Sequence, residues 1–99
     1  METIIKRDGK LAEFDEAKIT DAIEKASNIT KEFDAKTAQQ LTRNVIGIIK
    51  NFVREKQSNL KAPSIEEIQD IVEQVLIENN HLKTAKAYIL YRLLRFLTF

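Results

Sequence analysis

The sequence predicts a mainly α-helical α+β fold in which an N-terminal β-hairpin caps a four-helix bundle. Apolar residues recur at helical spacing in four segments, and an Asp-Gly pair separates two short apolar runs near the N-terminus. Two glycines and one proline in 99 residues leave few breaks, which favours long helices. A chain of this length supports one domain, residues 1–99, around a single hydrophobic core.

The β-hairpin is predicted over residues 3–14, "TIIKRDGKLAEF", and is closed by Asp8 and Gly9. These two residue types tolerate the positive φ that both central positions of a type I′ turn require. The register stays open, because a longer loop would exchange the faces of Ile4 and Ile5. An isolated two-stranded hairpin is marginal, so this one must pack against other elements.

Four helices are expected at about 16–27, 35–57, 65–79 and 82–97, with "SNIT" ending the first. Asp15 and Asp34 have the positions of N-caps, and Ser64 with Glu67 matches a capping box. One stripe of each of the first three helices is expected to form the core: Ile19, Ala22, Ile23, Ala26, Ala38, Leu41, Val45, Ile48, Ile49, Phe52, Ile65, Ile68, Val72, Val75 and Leu76.

The fourth helix is apolar on nearly every side toward its end, at Leu94, Phe96, Leu97 and Phe99. A helix of this kind needs to be covered, and a domain of this size has little core left to cover it. Two explanations stay open. Either the chain continues or a partner covers this end, or the helix packs across the hairpin.

Composition excludes several classes of function. Sixteen Lys and Arg against fifteen Asp and Glu give a net charge of +1, which argues against nucleic-acid binding driven by bulk charge. The absence of cysteine excludes disulfides, zinc ribbons and thiol nucleophiles, and a single histidine, His81, cannot form a metal site or a catalytic triad by itself. No apolar run is long enough for a transmembrane helix, so no membrane association and a cytoplasmic location are expected.

Basic residues near the hairpin suggest an anion site. Lys6 and Arg7 lie beside the turn, and Lys18 lies in the first turn of the first helix, where a cation opposes the helix dipole. An anion bound near that helix start would remove the conflict. Arg92 and Arg95 share a face of the last helix, but basic residues near a helix C-terminus also complement the dipole. Solvated loop and helix residues are therefore the alternative interpretation.

Other charged residues are assigned no function from the sequence. Lys10 is interpreted as part of a solvated turn. Four glutamates are interpreted as parts of solvated helix faces: Glu55, Glu66, Glu73 and Glu78.

Three blocks, "IIKRDGKLAEFDEAKITDAIEKA", "SIEEIQDIVEQVL" and "TAKAYILYR", resemble the ATP-cone, the regulatory nucleotide-binding domain at the N-terminus of many ribonucleotide reductases. The resemblance covers roughly residues 3–95, with the blocks in the family's order and spacing. It implies the same hairpin-on-bundle fold. It also implies that the chain binds ATP or dATP and carries out no chemistry.

The resemblance implies that the hairpin and first helix form most of the nucleotide site. Lys6 and Arg7 match the basic pair that contacts the nucleotide, and Lys18 matches the lysine of the first helix. Asp15 falls on the polar position often used to read the adenine. Ile4, on the first strand, would give the base an apolar wall.

The third and fourth helices would complete the site. Gln69 stands where some members have a histidine; it can form a hydrogen bond but cannot gain a charge. Basic residues near the phosphates would fall on Arg92 and Arg95, with Lys86 as the reserve candidate.

The resemblance also implies the effectors and partners. ATP would favour an active assembly and dATP an inhibited homo-oligomer, with Mg²⁺ accompanying the phosphates and a ribonucleotide reductase subunit or fused downstream domain as the partner. Nucleic acid is not an expected partner. Two alternatives stay open. One is the cone of a transcriptional repressor of reductase genes that carries a zinc ribbon, against which the absence of any cysteine or upstream ribbon counts heavily, and the other is a helical interaction module that has lost nucleotide binding.

Overall fold

The computed structural model describes residues 3–55 and 62–98, with side chains described over 3–52 and 62–94. The elements are β1 Thr3–Ile5, β2 Leu11–Glu13, α1 Glu16–Thr30, α2 Ala35–Glu55, α3 Ile65–Glu78 and α4 Leu82–Thr98. This confirms the expected fold class, a mainly helical chain with an N-terminal antiparallel hairpin. Both α1 and α3 pack against α2 and α4, so the helices form a closed ring around the core.

The hairpin docks on the segment that precedes α3. Its register pairs Ile4 with Ala12 and Ile5 with Leu11. The backbone N–H of Ile5 donates to the carbonyl of Pro63 at 2.9 Å, and Ile5 forms a parallel bridge with Ser64. Main-chain hydrogen bonds therefore fix the hairpin at the start of α3.

The two-residue type I′ turn predicted for the hairpin is wrong. The N–H of Lys6 donates to the carbonyl of Lys10 at 2.8 Å, and the N–H of Gly9 donates to the carbonyl of Lys6 at 2.9 Å. Gly9 has a φ of 83°, whereas Asp8 does not adopt a positive φ. The loop is therefore the longer, three-residue type that ends on a left-handed glycine. Asp8 favours it by accepting from the N–H of Lys10 at 3.0 Å.

The N-caps of α1 and α2 are confirmed. Asp15 accepts from the N–H of Ala17 at 3.0 Å, and Asp34 accepts from the N–H of Thr37 at 2.9 Å. α1 nevertheless runs to Thr30, so "SNIT" is its last turn and the expected end at residue 27 is too early. The helix continues through this segment because Ser27 is buried and its hydroxyl donates to the carbonyl of Glu24 at 3.0 Å, within the same helix.

The start of α3 has the predicted capping box. Ser64 Oγ accepts from the N–H of Glu67 at 3.1 Å, and Glu67 Oε1 accepts from the N–H of Ser64 at 2.9 Å. α3 ends at Glu78 and α4 extends to Thr98, each within one residue of its expected end. The expected end of α2, residue 57, lies outside the described residues.

The core follows the predicted stripes with few exceptions. Ile48 is 37% exposed, and Ile71, which the stripe omitted, is buried. Helix α4 adds Ala85 and Tyr88 to the core, with Thr84 buried beside them. Its main contacts are with α1 and α3, whereas the side chains at its end, for which packing across the hairpin was one of the two open explanations, lie outside the described ones.

The outer face of α4 stays exposed at Leu82, Leu90, Leu93 and Leu94. The side chains of the other three apolar residues predicted to need cover lie outside the described ones: Phe96, Leu97 and Phe99. Within the described residues, no helix is both long and apolar enough to cross a membrane.

Candidate functional site

The hairpin loop places Arg7 against the first turn of α3. Arg7 Nε lies 3.4 Å from Glu66 Oε1, with side chains 34% and 47% exposed. The contact follows from the docking of Ile5 on Pro63, which carries the loop to the N-terminus of α3. Glu66 is thus paired with the loop while its side chain stays partly exposed on the helix face.

Lys6 and Lys18 lie on the surface on either side of β2. Both are exposed, and neither forms an ion pair with a carboxylate among the described side chains. The three-residue strand β2 separates the loop from the start of α1 by about 10 Å, at a rise of about 3.3 Å per residue. The two lysines and Arg7 lie along the stretch from the loop to the first turn of α1, which also carries the exposed carboxylates of Asp8 and Asp15.

Ile4 and Asp15 flank the same edge. Ile4 is half-buried and packs against the core, so only part of its side chain is open to a ligand. Asp15 is exposed, but its Oδ1 already accepts from Ala17 as the N-cap of α1. A carboxylate has a second oxygen, so capping leaves Asp15 with an acceptor for another partner.

Gln69 lies one turn beyond Glu66 on α3 and is half-buried. Its Oε1 is buried and has no hydrogen-bond partner; among the described side chains it is the only buried N or O atom of that kind. Folded proteins rarely leave a buried polar atom without a hydrogen-bond partner, so the unpaired Oε1 of Gln69 is an unusual feature of this structure.

Arg92 is held by two carboxylates of α3. Its Nη1 donates to Asp70 Oδ1 and to Glu73 Oε1, each at 2.8 Å. Burial would lower the pKa of Arg92, but the hydrogen bonds to Asp70 and Glu73 outweigh it and raise this pKa above its ordinary value. Burial also raises the pKa of the neighbouring Tyr88 hydroxyl. The structure therefore surrounds Arg92 with negative charge.

The sequence pattern did not identify Asp70, and it assigned Glu73 to a solvated face. That assignment is wrong, because Glu73 is only 21% exposed and bonds Arg92. The available signal was the spacing of Asp70 and Glu73, one turn apart on α3. The side chain of Arg95 lies outside the described residues, and Lys86, the reserve candidate, is exposed.

A surface groove of about 550 Å³ lies elsewhere, between α2 and the end of α3, and none of the predicted nucleotide-binding residues lines it. Arg43, Lys50 and Glu78 are among the side chains around it. This groove is therefore separate from the predicted site residues. No cluster of three metal-ligating side chains occurs in the described part of the chain.

Comparison with known proteins matches residues 2–96 to the family model of the ATP cone domain. The chain belongs to the ATP cone domain family. Its N-terminal hairpin and four helices are thus the fold of an ATP-cone, as the three sequence blocks indicated.

The relatives of this ATP-cone include three kinds of reductase. It is 40% identical over 94 residues to a vitamin B12-dependent ribonucleoside-diphosphate reductase of Thermoplasma acidophilum, covering 90% of this chain and 11% of that protein. It is 36% identical over 97 residues to a ribonucleoside-diphosphate reductase subunit alpha of Chlamydia muridarum, covering 91% and 9%. An anaerobic ribonucleoside-triphosphate reductase of Haemophilus influenzae is 39% identical over 92 residues, covering 90% and 12%. The chain therefore spans about a tenth of the length of these relatives.

Proposed function

We propose that this ATP-cone is a non-catalytic regulatory domain that binds ATP or dATP at the edge formed by the hairpin loop and the start of α1. The observation that carries the proposal is the docking of the loop on α3, which exposes Lys6 beside Arg7 at a fixed position. A triphosphate carries several negative charges, and exposed cations on separate elements can hold it. The match to the ATP cone domain supports a nucleotide as the anion.

The roles of the site residues follow from their surroundings. Lys6, Arg7 and Lys18 would bind the phosphates, Ile4 would contact the base, and the second oxygen of Asp15 would accept from a ligand donor. These cations fit the charge of the ligand. Mg²⁺ would be held mainly by phosphate oxygens and water, as is usual for this ion.

Arg92 is a poor candidate for a phosphate ligand. Two carboxylates already bind its Nη1, and together they leave a net charge of −1 around it. A phosphate would have to displace them against that charge. Arg95 and Lys86 are the remaining candidates on α4, and Gln69 on α3 would contribute a hydrogen bond rather than a charge.

Regulation would follow from how the ligand connects the elements. A nucleotide bound by the loop, α1 and α3 would change how firmly these elements are held, and a neighbouring domain would respond to that change. The similarity to reductases supports a ribonucleotide reductase as the partner. ATP would favour the active state of that enzyme, and dATP an inhibited homo-oligomer. A cytoplasmic location remains a prediction.

Titration calorimetry tests nucleotide binding. Wild-type chain should bind ATP and dATP, and a Lys6→Ala, Arg7→Ala double variant should bind each at least tenfold more weakly, because two charge-assisted phosphate contacts are lost. A matched control, Lys10→Ala with Lys25→Ala, removes the same charge at two other exposed lysines. Equal affinity in both double variants would contradict the proposed site.

Further measurements address the assembly and the two alternative functions. Analytical ultracentrifugation should show a larger species with dATP than with ATP. No heat and no change of melting temperature with either nucleotide would favour the interaction module that has lost binding. Salt-dependent retention of DNA in a gel-shift assay would favour the repressor alternative.

A further inference from the structure

We infer that the groove between α2 and the end of α3 binds a helix of a partner protein that carries carboxylates. The groove has a volume of about 550 Å³. Its wall on α2 includes two cations, Arg43 and Lys50, and its wall on α3 includes Glu78. None of the residues proposed to bind the nucleotide lines this groove, so the inference does not depend on the proposed function.

Gly47, in the interior of α2, lines the groove. Glycine is the least favourable residue type after proline in a helix interior, so its presence there needs a reason. Packing within the described residues supplies none, because a Cβ on Gly47 would meet no atom of another element within 4 Å. Its φ is not positive, so the backbone does not require glycine either. A partner that comes close to the α2 backbone would supply the reason, since glycine permits the closest approach.

Ile48 adds apolar surface to the same groove. It was expected in the core stripe of α2, but it is 37% exposed and lines the groove together with the buried Val75 of α3. The exposed amides of Asn44 and Asn51 lie beside it. An apolar centre with a polar border is the composition of a protein–protein interface rather than of a site for a small ion.

The charge of α2 favours an acidic partner. Residues 35–52 contain no Asp or Glu, and their three cations follow each other at intervals of seven residues: Lys36, Arg43 and Lys50. This interval places them on one face of the helix, about 10.5 Å apart. All three are exposed, and none forms an ion pair with a carboxylate among the described side chains. Carboxylates at the same interval on a partner would pair with Arg43 and Lys50.

Glu78 gives the groove an orientation. It lies on the opposite wall, where it accepts from Gln74 Nε2 at 2.9 Å. A partner carboxylate is therefore attracted to the α2 wall and repelled from the α3 wall. The acidic side of the partner would lie against α2.

A helix fits this groove better than an extended strand. The lining residues come from α2, from α3 and from the residue that ends α3, so the groove presents helix faces rather than a sheet edge to which a strand could add. A helix satisfies its own backbone hydrogen bonds and packs its side chains between those of two other helices. Two carboxylates seven residues apart share one face of such a helix, with room between them for a small residue opposite Gly47.

An NMR titration of the 99-residue chain with a designed peptide tests the inference. The probe is a stapled helix of about 15 residues, because an unstapled helix of that length is marginal in water. It carries two glutamates seven residues apart, with alanine between them on the same face. Shift changes should be confined to amides at residues 43–51 and 75–79. The same peptide with glutamines for glutamates should bind about fivefold more weakly, and added salt should weaken the glutamate peptide.

The two cations are tested together. Arg43→Gln combined with Lys50→Gln should weaken binding of the glutamate peptide about fivefold, because both charge pairs are lost. The matched control, Lys25→Gln combined with Lys83→Gln, removes the same charge at exposed lysines of α1 and α4 and should leave binding unchanged. Equal weakening in the two double variants overturns the inference, since the peptide would then respond only to the net charge of the chain.

Gly47 separates binding from stability. Gly47→Ala should raise the melting temperature by about 4–8 °C, because alanine is the better helix residue and its Cβ has open space. Gly47→Gln places a longer side chain in the groove and should weaken peptide binding about tenfold in a chain that stays folded. Unchanged binding in Gly47→Gln overturns the inference. An absence of shift changes in the wild-type chain at about 1 mM peptide overturns it as well.

Other occupants of the groove give different results with the same variants. Analytical ultracentrifugation that shows self-association of the wild-type chain and none of Gly47→Gln would assign the groove to a second copy. Tighter binding of a single-stranded oligonucleotide than of the peptide, lost in the Arg43→Gln and Lys50→Gln double variant, would assign it to nucleic acid. Either result overturns the inference.

Discussion

At Arg7, one of the cations proposed to contact the phosphates, a carboxylate of the same chain already lies within ion-pair distance. Glu66 Oε1 is 3.4 Å from Arg7 Nε, and both side chains are partly exposed. A ligand phosphate would compete with Glu66 for the guanidinium group. The ion pair therefore holds Arg7 in place and also weakens the attraction of the site for an anion.

Glu66→Gln should strengthen ATP binding. An exposed ion pair contributes about 0.2–1 kcal/mol, so removing the competing Glu66 carboxylate corresponds to a gain of up to about fivefold in affinity, measurable by calorimetry. Glu78→Gln is the matched control, since it removes one exposed charge at the other end of α3. Weaker ATP binding in Glu66→Gln would mean that Glu66 serves to orient Arg7 rather than to compete for it.

At the scale of elements, α3 and α4 are joined by one arginine and two carboxylates with very different surroundings. Arg92 lies 2.8 Å from both Asp70 and Glu73, but Asp70 is 69% exposed and Glu73 is 21% exposed. Solvent screens an exposed pair much more than a half-buried one. Equal distances therefore do not imply equal contributions to stability.

Double-mutant cycles on the free energy of unfolding should separate the two pairs. Arg92→Met combined with Asp70→Asn should give a coupling energy of about 0.2–1 kcal/mol, the range of exposed pairs. Arg92→Met combined with Glu73→Gln should give a larger coupling, about 1.5–3 kcal/mol, because a less exposed charged hydrogen bond is lost. Equal couplings would show that solvent reaches both pairs alike.

For the molecule as a whole, Glu32 links two of the four helices, because its side chain follows the end of α1 and bonds the start of α4. Its Oε1 accepts from the N–H of Thr84 at 2.6 Å, and the hydroxyls of Thr30 and Thr84 lie 2.7 Å apart. Burial would raise the pKa of Glu32, but hydrogen bonds from Thr84 outweigh it and the pKa is lowered. A carboxylate at a helix N-terminus also complements the helix dipole.

The stability of the ring should depend on pH through Glu32. Because its pKa is lower in the folded state than in the unfolded state, the carboxylate stabilises the fold above its unfolded pKa. That contribution should disappear as the pH falls below about 4 and through the folded pKa. Chemical denaturation should show Glu32→Gln less stable than wild type near pH 7, with a difference that shrinks in acid. Asp21→Asn, which removes an exposed carboxylate of α1, is the control variant.

Sequence patterns predicted the features that depend on near neighbours. The caps Asp15 and Asp34 and the Ser64–Glu67 box were predicted because each joins atoms within two or three residues. The type of the loop between the strands was not predicted correctly, since an Asp-Gly pair suits more than one turn type. Only the register, fixed by the docking of Ile5 on Pro63, distinguishes them.

The sequence by itself determined the helices, their caps, the core stripes and the family, because apolar periodicity and short-range hydrogen bonds are written in adjacent residues. The tertiary structure decided which charges meet: Arg7 with Glu66, and Arg92 with Asp70 and Glu73. It also decided that Gln69 buries its oxygen without a partner. Such contacts depend on how each helix is rotated and placed against another, and that is set by the packing of the whole core rather than by any local pattern.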